Sequence, residues 1–171
     1  MTQKQSKQAA PDLIDRLVAD WKRERPDLDA SAMSVVGRIL HLGRLLEDAA
    51  SEGLRGTGIN YTDLDVLATL RRSGAPYRLT PTALRKSVLL TSGAMTACLN
   101  RLERAGLISR NAVDEDRRSL AAALTAKGLK LTDKAIASRF EQARQVVEVL
   151  SKGERAELAG LLRKLRSSLP G

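Results

Sequence analysis

One cysteine, Cys98, and one histidine, His41, are all that this 171-residue chain contains of those two residue types. A structural zinc site built from cysteine and histidine and an internal disulfide are both beyond that inventory, so no metal cage and no cofactor is expected. Hydrolytic chemistry meets the same shortage, because a nucleophile needs a base beside it and a single histidine within helical sequence offers no such constellation. The chain is therefore not expected to be an enzyme. Residues 53–58 are glycine-rich, but they lack a Gly-Lys-Ser/Thr ending and precede no strand-helix unit, which makes them a loop and not a phosphate cradle. Long apolar runs are missing too: nothing approaches the roughly 20 residues needed to span a bilayer. The first ten residues are polar, unlike a signal peptide, so a flexible tail over residues 1–11 and a cytoplasmic location are expected.

Positive charge is plentiful. Lysine and arginine number 29 against 20 acidic residues, a net charge of +9, which attracts phosphate and also suits an acidic partner or surface. Residues 78–118 alone hold eight basic and four acidic side chains. Within that stretch Thr80-Pro81 announces a short helix, with a capping hydroxyl followed by a proline whose missing N–H costs nothing. A second cap, Thr91-Ser92-Gly93, opens a helix in which Met95, Cys98, Leu99 and Leu102 recur at helical spacing and form one buried stripe. Its other face carries Ser92, Ala94, Thr96, Ala97, Asn100 and Arg101, small or hydrogen-bonding groups that let a helix enter a major groove and touch base edges. Gly106 ends this helix. Residues 107–110 and 120–124 then form two strands of a hairpin with Arg117 and Arg118 near its tip, suited to a minor groove, and Asp116 placed to hold Arg118. Thr80 and Arg85 are expected among the DNA-binding residues as well. Helix, turn, helix and wing in this order predict a DNA reader.

The remainder reads as helix. Residues 12–25 place Ile14, Val18 and Trp21 on one side, and residues 31–54 carry apolar residues over more than half their circumference, more than one core absorbs. Thr62 and Asp65 are expected to cap the next helix reciprocally. After the wing, Thr125 caps a helix of about twenty residues, and Ser151 with Glu154 opens a last one whose Leu158, Leu161, Leu162, Leu165 and Leu169 form a continuous seam. Such a seam wants a partner helix, and a twofold dimer would place two reading helices one DNA turn apart over a palindrome. The fold class expected is mainly α with a small β-wing: a winged helix-turn-helix over residues 61–125, an extra helix and first dimerisation helix over 12–60, and C-terminal dimerisation helices over 126–171.

This order, together with Thr91-Ser92-Gly93-Ala94-Met95-Thr96, Arg101-Leu102-Glu103-Arg104-Ala105-Gly106-Leu107-Ile108, Asp114-Glu115-Asp116-Arg117-Arg118 and Leu124-Thr125-Ala126-Lys127-Gly128, resembles the multiple-antibiotic-resistance regulator (MarR) family over roughly residues 31–169. The resemblance implies a homodimeric transcription factor on a palindromic double-stranded operator, usually a repressor, released by a small aromatic or anionic effector bound between the dimer helices and the reading head. The extra helix with Trp21, and the segments 64–67 and 74–81, resemble the branch that includes urate-responsive and PecS-like regulators. There a tryptophan, an aspartate and an arginine hold the ligand. Trp21 and Asp65 match the first two, while the arginine position falls on Cys98, which takes away the guanidinium that an anionic purine would need beside Asp65.

Plainer roles stand beside these. Trp21 is suited to anchoring its helix, Asp65 to capping, Cys98 to filling a small core position, and His41 to an interface as well as to a ligand pocket. Two other functions remain open at this level: redox sensing through Cys98, without a second cysteine to resolve it, and a helical protein-interaction module that does not bind DNA.

Overall fold

A computed structural model describes residues 10–88, 91–113 and 116–169; the side chains of Ser92 and of residues 111–120 lie outside that description. The expected flexible tail falls almost wholly on residues that are not described. Among the described residues the chain forms helices α1 (Leu13–Glu24), α2 (Met33–Glu52) and α3 (Tyr61–Arg72), strand β1 (Arg78–Leu79), helices α4 (Pro81–Ser87) and α5 (Ser92–Arg104), strands β2 (Ile108–Val113) and β3 (Asp116–Leu124), and helices α6 (Ala126–Val146) and α7 (Lys152–Ser167). It divides into two compact units, residues 1–49 and 50–171.

In the first unit, α1 is closed at its start by a capping box between Asp12 and Asp15. Both carboxylates also bind Arg38 of α2, at 2.9 and 2.7 Å, and Ile14 packs against Gly37, where a Cβ would sit 3.2 Å from its methyl group. The crossing of α1 over α2 is thus held by one fork of charge and one small residue. Trp21 remains more than half exposed, as do Leu40 and Leu42, so this unit keeps a large uncovered apolar face.

The second unit contains the main core. Leu67, Leu70, Leu84, Met95 and Leu102 are almost completely buried, and α3 supplies its centre. The sheet is antiparallel in the order β1-β3-β2, so β3 is flanked on both sides, pairing Arg78 with Ala123 and Ile108 with Leu124. Ala121 and Ala122 are buried on β3 beside this core. The hairpin expected between residues 107–110 and 120–124 is present but longer, with a bulge at Ala112/Val113. β1 was not anticipated. Helix α6 starts close under the wing: Gly128 lies against the carbonyl of Leu107, where a Cβ would collide with backbone. No helix among the described residues is long and apolar enough to cross a membrane.

Candidate nucleic-acid interface and the cluster beneath it

Thr80 accepts a hydrogen bond from the Ala83 N–H (3.2 Å) and Pro81 follows at the first helical position, which sets the start of α4. Leu84 and Val88 bury its inner face, while Arg85 and Lys86 stand exposed on the outer one. Thr91 caps α5 through the Ala94 N–H (3.3 Å). From there the helical period does the sorting. Met95, Cys98, Leu99 and Leu102 are all at most 4% exposed, and Ala94, Thr96, Ala97 and Asn100 are exposed on the other side. An exposed face of small and hydrogen-bonding residues on a helix whose back is locked into a core is the geometry a major groove accepts.

The wing is tied to this helix. Arg110 of β2 donates to the Asn100 side-chain oxygen at 2.5 Å and lies 3.3 Å from the Glu103 carboxylate, while Arg104 donates to the Asn100 carbonyl. At the far end, Lys127 donates to the Ala105 carbonyl (2.8 Å), placing a cation where the helix dipole is negative. The Thr125 hydroxyl lies 2.8 Å from the Gly106 carbonyl and accepts the Gly128 N–H, so the end of α5 and the start of α6 share one residue. The backbone of Asp116, Arg117 and Arg118 runs in β3, but their side chains, like that of Ser92, lie outside the described residues.

Arg101, its side chain 43% exposed, is engaged within the protein. Its Nε and Nη2 bind the carboxylate of Asp63 on α3 at 2.6–3.1 Å, and that carboxylate is 1% exposed. Asp63 also accepts the Cys98 thiol (3.2 Å) and the Asn60 N–H (3.1 Å). Burial by itself opposes its ionisation, but Arg101, the Asn60 N–H and Cys98 together hold the carboxyl below the ordinary carboxylate range. For Cys98, burial first, then the hydrogen bond to Asp63 and the charge of that carboxylate, push the thiol up to about 12. It is the donor in its bond to Asp63, and hence protonated.

The capping expectation on α3 needs correction. The helix begins at Tyr61, its N-cap is Asn60, and the reciprocal partner is Asp63, not Thr62 with Asp65. Asparagine caps better than threonine, and the earlier start adds two residues to the helix. Asp65 is thereby released from capping and lines a cavity of about 380 Å³ between α3 and α6. Tyr61, Leu64, Ile136 and Phe140 form its apolar walls, and Arg71, Arg72 and Arg139 its cationic rim. Arg71 is engaged by Asp133 (2.7 Å) and stacks 4.9 Å from the Tyr77 ring centroid, and Arg72 donates to the Ser87 carbonyl, which leaves Arg139, without an ion pair among the described residues, as the most available cation. Trp21 and His41 belong to the other unit, exposed on α1 and half-buried on α2, and Cys98 lines no wall of this cavity. Sequence reasoning missed Asp63 and the arginine rim. The Asn60-to-Asp63 spacing was the one signal that pointed to Asp63.

A profile of the MarR family matches residues 57–119. The HTH-type transcriptional regulator PecS of Dickeya dadantii (strain 3937) is 31% identical over 156 residues, covering 91% of this chain and 94% of PecS. The transcriptional repressor MprA of Escherichia coli (strain K12) is 29% identical over 76% of this chain and 73% of its own. Among solved structures, Sco3205, a MarR family transcriptional regulator from Streptomyces coelicolor in complex with DNA, superposes with a TM-score of 0.75 at 25% identity, covering 84% of this chain and 94% of that one.

Proposed function

The chain belongs to the MarR family of DNA-binding transcriptional regulators, which are not enzymes, and on that premise we propose that it acts as a homodimeric repressor released from a palindromic operator by a small aromatic anion. The observation that carries the DNA reading is the exposed face of α5, with Ala94, Thr96, Ala97 and Asn100 opposite a fully buried stripe. Thr80 and Arg85 of α4 approach the phosphates, and Arg117 and Arg118 of the wing enter the minor groove, steadied by Asp116. Repression is favoured by relatives such as MprA, which is itself a repressor. Dimerisation is favoured by the leucine seam of α7, where Leu158, Leu161, Leu162 and Leu165 are all more than 40% exposed.

The effector reading rests on the α3–α6 cavity, where aromatic walls and Arg139 suit a ring bearing a carboxylate, with Asp65 accepting a hydroxyl proton. Cys98 lines no wall of that cavity and stands behind it, bonded to Asp63. The work is done in the cytoplasm. The test is a randomised duplex pool presented to the protein, followed by salt titration and a panel of phenolic acids, purines and oxidants. Enrichment of a palindrome, steep salt dependence and release by a phenolic acid, lost in Arg139→Ala, are expected. Absence of any preferred duplex would overturn the DNA reading; release by purines or oxidants alone would overturn the effector assignment.

A further inference from the structure

We infer that Arg101 serves DNA reading as a positioning residue: seated on the buried Asp63 carboxylate, it sets the rotation of α5 on α3 and does not itself reach a base edge. The inference rests on the reading of α5 as the groove helix.

Three observations carry it. Arg101 meets Asp63 with Nε and Nη2 together, at 2.6–3.1 Å, the paired-donor geometry that fixes orientation as well as distance. To reach a base, the guanidinium would have to abandon a carboxylate that is 1% exposed, and a buried charge stripped of its partner is among the costlier events in a protein. Nor does the carboxylate follow Arg101 outward, because the same group closes the α3 cap by accepting the Asn60 N–H. Finally, Cys98 and Arg101 lie three residues apart on α5 and bind the same oxygen, Asp63 Oδ1, so one turn of the recognition helix is referenced to a single buried atom.

The consequence concerns angle. Successive residues of a helix are about 100° apart, so a roll of α5 by a few tens of degrees would exchange Ala97 or Asn100 for a neighbour at the outermost line. The apolar stripe alone resists such a roll weakly, since Met95, Leu99 and Leu102 slide over other aliphatic groups without losing a directional contact. A fork onto a fixed carboxylate resists it strongly. With Arg101 so engaged, sequence reading passes to Thr96, Ala97 and Asn100, whose side-chain oxygen is already aimed by Arg110.

The experiment uses the full chain and the duplex that the wild-type protein enriches from a randomised pool, with a scrambled duplex as reference. Affinities are measured across salt concentrations for Arg101→Gln, Asp63→Asn and the double variant, and each variant is put through its own selection. Each single change is expected to weaken the selected duplex about tenfold or more, with the double variant no weaker than the worse single, as coupled neighbours behave. Any loosening of the preferred sequence is the same in Asp63→Asn as in Arg101→Gln, and the salt slope on scrambled DNA stays unchanged. A base position that Arg101→Gln alone reads loosely would make Arg101 a base contact and overturn the inference; a salt slope reduced by about one would make it a phosphate contact and do the same. Thermal unfolding of every variant accompanies the binding. Should Asp63→Asn fail to fold, Arg101→Lys decides, because it keeps the charge and loses the fork: weakened binding supports positioning, and full wild-type binding overturns it. If the wild-type protein enriches no duplex at all, the DNA reading falls first and the failure is attributable to it.

Discussion

Cys98 shows how a single atom's surroundings decide a chemical role. With the thiol at about 12, the thiolate fraction at neutral pH is on the order of 10⁻⁵, far below what redox-sensing cysteines maintain. Peroxide is therefore expected to leave DNA affinity unchanged in the folded protein, and a maleimide to react with Cys98 at least about a hundredfold more slowly than in denaturant. Fast native labelling with loss of binding would restore the redox reading. Asp63 gives a second, pH-dependent expectation. Its carboxyl is depressed in the folded state, so its contribution is complete above the ordinary value of 3.8 and is lost as pH falls through the lower folded value. Asp63→Asn should accordingly flatten the acid limb of the stability curve, measured by urea unfolding from pH 6 down to about 2. At the other end the raised thiol works in the opposite direction: stability falls as pH climbs from 9.0 toward about 12, and Cys98→Ala should remove that slope. Asp63 escaped notice in the sequence because Asn60 with Asp63 and Thr62 with Asp65 both make plausible capping pairs, and the advantage of asparagine over threonine at a cap is small.

Among the elements, α5 was readable because its stripe repeats at 3.6 residues and its two ends carry a threonine cap and a glycine stop, Gly106 adopting φ 69°. The last helix was readable for the same reasons, through the Ser151–Glu154 box. Strand β1 was not, since two residues hold no alternation and their partners, Ala122 and Ala123, lie more than forty positions away. The wing strands outran their expected ends because a hairpin ladder is extended by backbone pairing that the charged residues near the tip do not interrupt. The cavity is a product of α3 and α6 together, and neither helix alone betrays it. Two substitutions test this scale. Ala97→Glu places a carboxylate on the exposed face of α5 and should abolish binding to the selected duplex while thermal stability changes by less than about 0.5 kcal/mol; a variant that footprints normally would turn that face away from DNA. Gly128→Ala drives a methyl group into the Leu107 carbonyl and should cost about 1–3 kcal/mol in chemical denaturation.

For the whole molecule, the reading head is closed and self-sufficient in its core, whereas α1, α2 and α7 present apolar residues that their own units leave uncovered. Leu161 and Leu165 lie one turn apart on α7, each more than 40% exposed. Replacing both with glutamate is expected to yield a monomer by light scattering, with its affinity for the selected palindrome reduced by roughly a hundredfold or more as the second half-site is lost, and affinity for scrambled DNA far less affected. A double variant that remains dimeric would move the interface elsewhere. One junction described above then has a mechanical meaning. Thr125, bonded at once to the end of α5 and to the first turn of α6, joins the proposed groove helix to a 21-residue rod about 31 Å long. A torque applied at the distal end of that rod has leverage: a tilt of only about 5° swings the opposite end by roughly 3 Å, several times the play that a hydrogen bond to a base edge tolerates.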